Sequence, residues 1–206
     1  MVLKGGITLV TENTKSIFNL ATWTKLAKVG STNAVSGLSQ MVNQDFSITA
    51  LNLEEVSLRN ATSLIGKPDD MVVGIYLLFS GNANGQILLA FQPATAFELV
   101  DMAMGVELGT TTSLGEMERS VLGEIGNIVG TFFLNGVADC VGLRLMPSPP
   151  AVVEDMAGAL IGSVLAEAFE VSDALFVIKL LFSSKAKQIE GSFLVLPSVD
   201  LHTTSK

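Results

Sequence analysis

The chain has 206 residues, of which 49% are hydrophobic and 16% charged. That balance predicts a sizeable buried core and excludes a chain that stays disordered. A formal net charge of −8 would be repelled by the phosphates of nucleic acid and by anionic membranes, so neither partner is expected.

Single residues exclude more. Gly5 and Gly6 break the apolar run of the opening MVLKGGITLV, which does not read as a signal peptide. No uninterrupted apolar stretch approaches the ~18 residues of a bilayer span, so membrane insertion is not expected and the location reads as cytoplasmic. The one histidine, His202, lies in the polar tail LHTTSK; histidine-based nucleophilic catalysis and histidine zinc sites are removed with it. Cys140, alone in its chain and set in an apolar stretch, reads as a buried, inert thiol. No glycine-rich phosphate loop is present. Chemistry is left to carboxylates, amides and hydroxyls.

In chain order, residues 1–15 form an arm whose GITLV fits either a short strand or an extension. Apolar residues at helical spacing predict a helix over 16–42, followed by a strand near 44–55 and a short helix near 56–66. Two strands come next, Val72–Phe79 and Gln86–Phe91, joined by the turn-forming Ser80-Gly81-Asn82-Ala83-Asn84-Gly85. Pro93 opens a helix that runs through Met104, since proline suits a first turn. After a joint at 105–113 the order begins again. A long helix is predicted over 114–139, a strand from Gly142 to Met146 and a helix near 155–169. Two strands, Ala174–Phe182 and Ile189–Leu196, close the second round.

The repetition is visible in the letters. Leu77-Leu78-Phe79-Ser80 matches Leu180-Leu181-Phe182-Ser183, and strands opened by Gly85 and Gly191 end at Pro93 and Pro197. Short turns between the closing strands of each half imply antiparallel pairing. The expected architecture is an α/β pseudo-dimer, with two half-sheets side by side and long helices packed on them. Its halves are 16–104 and 114–206.

The helix predicted over 114–139 carries the informative pattern. Ser113 and Glu116 fit a capping box at its start. Leu114, Met117, Val121, Ile125, Ile128 and Phe132 fall on one stripe, which predicts the core face. Ser120, Glu124 and Asn127, spaced i, i+4 and i+7, form a ridge about two turns long, away from that stripe. Gly115, Gly123, Gly126 and Gly130 crowd a third side. Each costs about 1 kcal/mol against alanine, so a second backbone, the equivalent helix of the first half, is expected to come close there.

The spacing Ser-x3-Glu-x2-Asn-x22-Pro, met by Ser120, Glu124, Asn127 and Pro150, resembles the phosphatase signature of the CheC/CheX/FliY family. The text LGEIGNIVGTFFLNGVADCVGLRLMPSPPAVVEDMAG is similar to CheC beyond those four positions, and the duplicated layout over 16–200 agrees. The resemblance implies a phosphatase that hydrolyses the aspartyl phosphate of the receiver CheY. In it Asn127 would place the water without acting as a base, and Glu124 would dock to a lysine of the receiver. Ser120 would contact the partner or cap the ridge, and Pro150 would shape the adjoining backbone rather than touch substrate. The chain would need no metal or cofactor of its own, because Mg²⁺ would come with the receiver.

The first half departs from the signature. Aligning Gly37-Leu38-Ser39-Gln40-Met41 with the family's corresponding element puts Lys25 at the Glu position, Lys28 at the Asn position and Leu51 at the proline. Lysine has no acceptor to hold a water and would repel the receiver's lysine. One active centre per chain is expected. The resemblance also implies a second partner, the deamidase CheD, bound through the helix after the signature proline, where Asp155 matches an acidic position. A helix N-terminal carboxylate favoured by the macrodipole accounts for Asp155 equally well. Two other readings stand beside the enzyme: an adaptor that binds the receiver or CheD without turnover, and a FliY-like part of the flagellar switch. The second is less expected, since FliY-like chains carry additional assembly segments and this sequence ends in a short polar tail after residue 200.

Overall fold

The structure, a computed structural model, describes residues 20–169, 174–184 and 189–197. The arm at 1–15, the start of the first helix and His202 lie outside the described residues. Helix α1 spans Leu20–Val42, strand β1 Ser47–Ser57 and the short helix α2 Leu58–Ala61, which a 3-10 turn at Thr62–Leu64 extends. Strands β2 (Met71–Gly81) and β3 (Gly85–Phe91) form a hairpin, and helix α3 follows over Pro93–Met104. The second round comprises α4 (Glu116–Val141), β4 (Leu145–Pro147), β5 (Ala151–Met156), α5 (Ala157–Phe169), β6 (Ala174–Ser184) and β7 (Ile189–Pro197).

All strands join one sheet of order β1-β6-β7-β3-β2-β4, with β5 also paired to β2, and every pairing is antiparallel. Every residue of β3 is buried. It lies at the centre with layers on both faces, which is why GQILLAF reads as a continuous apolar run rather than an alternation. On one face the odd-numbered residues of β2 and β3, such as Ile75, Leu77, Ile87 and Leu89, pack with α1, α3 and α4. On the other, Val72, Leu88 and Ala90 pack with α2 and α5. The result is three layers around a sheet.

The duplication is exact enough to number. Helices α1 and α4 end at Val42 and Val141, and each is followed by a left-handed residue, Asn43 at φ 49 and Gly142 at φ 67. The same shift carries β1 onto β4 plus β5. It also carries the close contact of Gly37 with Phe132 onto that of Gly136 with Asn33. The two helices therefore cross on a pseudo-two-fold axis. The half-sheets are not simply side by side, however. The first strand of each half leaves its own hairpin and pairs with the other, β1 with β6 and β4–β5 with β2. Each half thus covers an edge of the other that would otherwise be exposed.

Two local expectations need correction. The run after Pro150 is strand β5, with Met156 opposite Met71 and Ala151 opposite Tyr76, so the helix begins at Ala157 and not near 155. Cys140 is exposed. It shares an azimuth with Leu122, but the last turn of α4 lies at the margin of the core, where Asp139 is exposed too.

Asp101 on α3 explains how the joint is held. Its side chain is fully buried. Its carboxylate accepts hydrogen bonds from the backbone N–H groups of Gly109 (2.7 Å), Thr110 (3.1 Å) and Thr111 (2.9 Å). Desolvation beneath this cover raises its pKa, but the bonds from the Thr111 hydroxyl and the three amides outweigh it, and the net shift is downward from 3.8. A lowered folded pKa means stability that is present above the unfolded value and lost as pH falls through the folded one. Asp101→Asn turns an N–H₂ toward these donors and is expected to cost about 1–3 kcal/mol at neutral pH. In urea unfolding at several pH values, the gap between parent and variant should shrink below pH ~4.

Candidate active site

Helix α4 begins with Gly115 as its N-cap. The Glu118 carboxylate reaches back to accept the Gly115 N–H at 2.9 Å. Glycine has no side chain, so only this returning half of a capping box forms. Ser113 is exposed and plays no part in the cap, and the expected pairing of Ser113 with Glu116 is corrected to that extent.

The buried face of α4 is also displaced from the expected one. Leu122, Ile125, Val129, Phe133 and Val137 are buried, a stripe rotated by about 100° from the predicted one at ~100° per residue. Met117 is 61% exposed and Phe132 37%. The reason lies in the glycines. A Cβ at Gly126 would come within 2.4 Å of Ile75 Cγ2, and one at Gly130 within 3.0 Å of Leu77 Cδ2. The glycine side is thus the side laid on β2, met by side chains and not by a second helix backbone. Helix-to-helix approach occurs instead at Gly136, where a Cβ would lie 3.2 Å from the Gly30 Cα.

Rotating the core stripe leaves the ridge still further outside. Ser120 and Glu124 are exposed and Asn127 is half-buried. Neither the Glu124 nor the Asn127 side chain makes a hydrogen bond to another described residue. They open on a groove of about 690 Å³. Its floor is α4, through Glu116, Arg119, Ser120, Gly123, Glu124 and Asn127; its wall is Pro147-Ser148-Pro149-Pro150 with Val152.

The wall exists because the second half interrupts its first strand. Pro150 lies against the helix, 3.8 Å and 3.6 Å from where side chains of Gly123 and Gly126 would begin. The proline thus seats beside the ridge at ordinary van der Waals distance from this side of the helix. Ser148 pins the other end: its N–H donates to Leu78 O at 2.8 Å, and its Oγ accepts from the Leu78 N–H at 3.0 Å. Arg119 Nη1 donates to Val152 O at 3.1 Å and ties the wall back to α4. The structure thus brings Ser120, Glu124, Asn127 and Pro150 together in one groove.

The remaining sequence candidates lie elsewhere. Lys25 and Lys28 are exposed on α1, and the shift that matches Val42 to Val141 carries them onto Glu124 and Asn127. Leu51, half-buried, takes the place of Pro150 inside β1, which runs unbroken from Ser47 to Ser57 apart from a bulge between Ile48 and Ala50. The first half has no wall. Asp155 is the penultimate residue of β5, opposite Val72, and its Oδ1 accepts the Met156 N–H at 2.7 Å; its expected place on a helix is corrected to a strand. Arg119 and the wall were not singled out from sequence. The signal available was the PSPP run and a lone cation between Glu118 and Ser120. Among the described residues no group of three or more histidine, cysteine or carboxylate side chains is gathered to hold a metal.

Comparison with known proteins accords with this geometry. The family described as "Chemotaxis phosphatase CheX" matches residues 73–169, which include the ridge and the wall. The CheY-P phosphatase CheC of Bacillus subtilis is 26% identical over 180 residues, covering 85% of this chain and 86% of that protein. The crystal structure of Thermotoga maritima FliY superposes with a TM-score of 0.64 at 18% identity, over 95% of this chain and 91% of that one. A CheX–CheY complex with BeF3 and Mg²⁺ from Borrelia burgdorferi gives a TM-score of 0.53 at 15% identity, over 82% and 96%. The duplicated sheet, the grooved helix and these matches agree: in sequence and in fold the chain is similar to the CheC-type chemotaxis phosphatases.

Proposed function

We propose that the chain is a phosphatase that removes the aspartyl phosphate of a CheY-type receiver, with the α4 groove as its active site. The observation that carries this reading is the outward ridge of Glu124 and Asn127 beside the Pro150 wall. The relative named CheY-P phosphatase and the CheX–CheY complex support it. An acyl phosphate is already activated, so the catalyst mainly has to place a water in line with phosphorus. The Asn127 amide can accept one hydrogen of that water and donate to a phosphoryl oxygen, remaining unchanged itself. Water adds to phosphorus, the bond to the aspartate oxygen breaks, and the products are a carboxylate and dihydrogen phosphate. Glu124 docks to a lysine of the receiver, Ser120 contacts the partner, and Pro150 shapes the wall. Mg²⁺ belongs to the receiver.

The second half, 114–206, carries this site. The first, 16–104, is non-catalytic because it lacks the wall as well as the ridge. Converting Lys25 to Glu and Lys28 to Asn in an Asn127→Ala background is expected to restore no phosphate release above that background. Recovery of even a few per cent of parental turnover would show that side chains alone define the site. Asp155 at the β5–α5 corner remains the proposed contact for CheD. The reading is of a cytoplasmic protein. Helix α4 is long and apolar enough to span a bilayer by composition, but over half of its apolar window is buried against the sheet and α1.

The adaptor reading predicts binding without turnover. Purified chain at one-twentieth the concentration of phosphorylated receiver should release many equivalents of phosphate per chain. Release capped at one equivalent or below would favour the adaptor.

A further inference from the structure

The groove contains one residue that the ridge and wall do not account for. Arg119 is the only cation among the described residues that line it, on the same helix as Glu116 and Glu124. A guanidinium offers five donors in a fixed fork, and one of them is committed, to Val152 O at 3.1 Å. That bond orients the side chain before any partner arrives, which lowers the entropy lost on docking. A chain of net charge −8 repels acidic surfaces in general, so a single oriented cation at the rim selects where such a surface is accepted.

Resting on the reading of the groove as a receiver-binding site, we propose that Arg119 is a specificity-determining residue that receives a carboxylate of the docking receiver. Asn127 is eight residues on, about 12 Å along the axis at ~1.5 Å per residue. With its fork tied to Val152 O, Arg119 is assigned to the receiver's surface and not to the phosphoryl group that Asn127 meets. It meets the receiver's surface at the opposite end of the groove and fixes the register in which the phosphate reaches the amide. Two contacts that far apart define an orientation, where Glu124 alone would define a point.

The test uses the full chain and a CheY-type receiver activated with beryllium fluoride, titrated by fluorescence anisotropy at several salt concentrations. Arg119→Met keeps the apolar stem and removes the charge; Kd should rise about tenfold and depend less on salt than that of the parent. Arg119→Lys keeps the charge and should recover part of the affinity. Arg119→Met also loses the bond to Val152 O, so a modest fall in its unfolding midpoint is expected; the change in salt slope is the readout that a merely structural role would not give. Unchanged Kd in Arg119→Met, or a rise with the parental salt slope, overturns the proposal. Phosphate release measured alongside separates the two claims. Binding that is sensitive to Arg119 without turnover would leave this inference standing and sink the enzyme, whereas turnover with binding indifferent to Arg119 would do the reverse.

Discussion

Asn127→Ala is expected to lower the maximal rate of phosphate release from the receiver by about two to three orders of magnitude, the loss typical of removing one group aimed at a transition state. KM should change little, because the amide is half-buried at the groove floor and contributes mainly to placing the water. Glu124→Ala should behave differently. Its carboxylate is exposed one turn away on the same ridge, where it would pair with the receiver's lysine on docking. The expected result is a KM raised about tenfold or more with a smaller fall in maximal rate. Steady-state assays on both variants at saturating and limiting receiver would reveal the split. Equal effects of both substitutions on KM alone would remove Asn127 from the chemistry.

Gly126→Val is expected to be the most damaging single substitution near the site, costing about 2–3 kcal/mol of stability or preventing folding. A Cβ there would stand 2.4 Å from Ile75 Cγ2, and Ile75 is fully buried on β2, between β3 and β5. The β-branched neighbour cannot swing aside, so either α4 lifts from the sheet or β2 shifts. Lifting α4 also unseats Pro150 and moves the ridge between Glu124 and Asn127. Gly123→Ala is the informative contrast. Its Cβ would meet only Pro150 Cγ at an ordinary 3.8 Å, so the gain in helix propensity, up to about 1 kcal/mol, should raise the unfolding midpoint. Denaturant titration of both variants checks the pair. Two glycines three residues apart should thus respond in opposite directions.

What the sequence made legible follows from the reach of each rule. Helical spacing put Ser120, Glu124 and Asn127 on one ridge, because periodicity depends only on the backbone. It misplaced the core stripe, because residue size was read as depth: Met117 and Phe132 are large but exposed, while Gly126 and Gly130 are small and buried against β2. Strand β5 was missed because PSPP reads as a break and VVEDM as a helix start; pairing with β2, a long-range event, decides the matter. The same long-range pairing exchanges β1 between the halves, which no local pattern reveals. Proline at 150 was visible in the letters, but the wall it anchors depends on Arg119 of α4, Ser148 and Leu78 of β2 coming together from three segments. The lysines at 25 and 28 made a degenerate first site the expectation; β1, which runs from Ser47 to Ser57 where the second half has its wall, adds a reason that the letters do not show.

On the proposed reading, Glu124, exposed, and Asn127, half-buried, on one ridge of α4 carry out the hydrolysis of a phosphoaspartate held by another protein. The doubly substituted Glu124→Ala, Asn127→Ala chain, assayed for phosphate release from phosphorylated receiver under conditions where the parent turns over repeatedly, tests it most directly. The expected result is release no faster than the receiver's own spontaneous loss, with an unfolding midpoint close to that of the parent. Multiple turnovers by the doubly substituted chain would contradict the account.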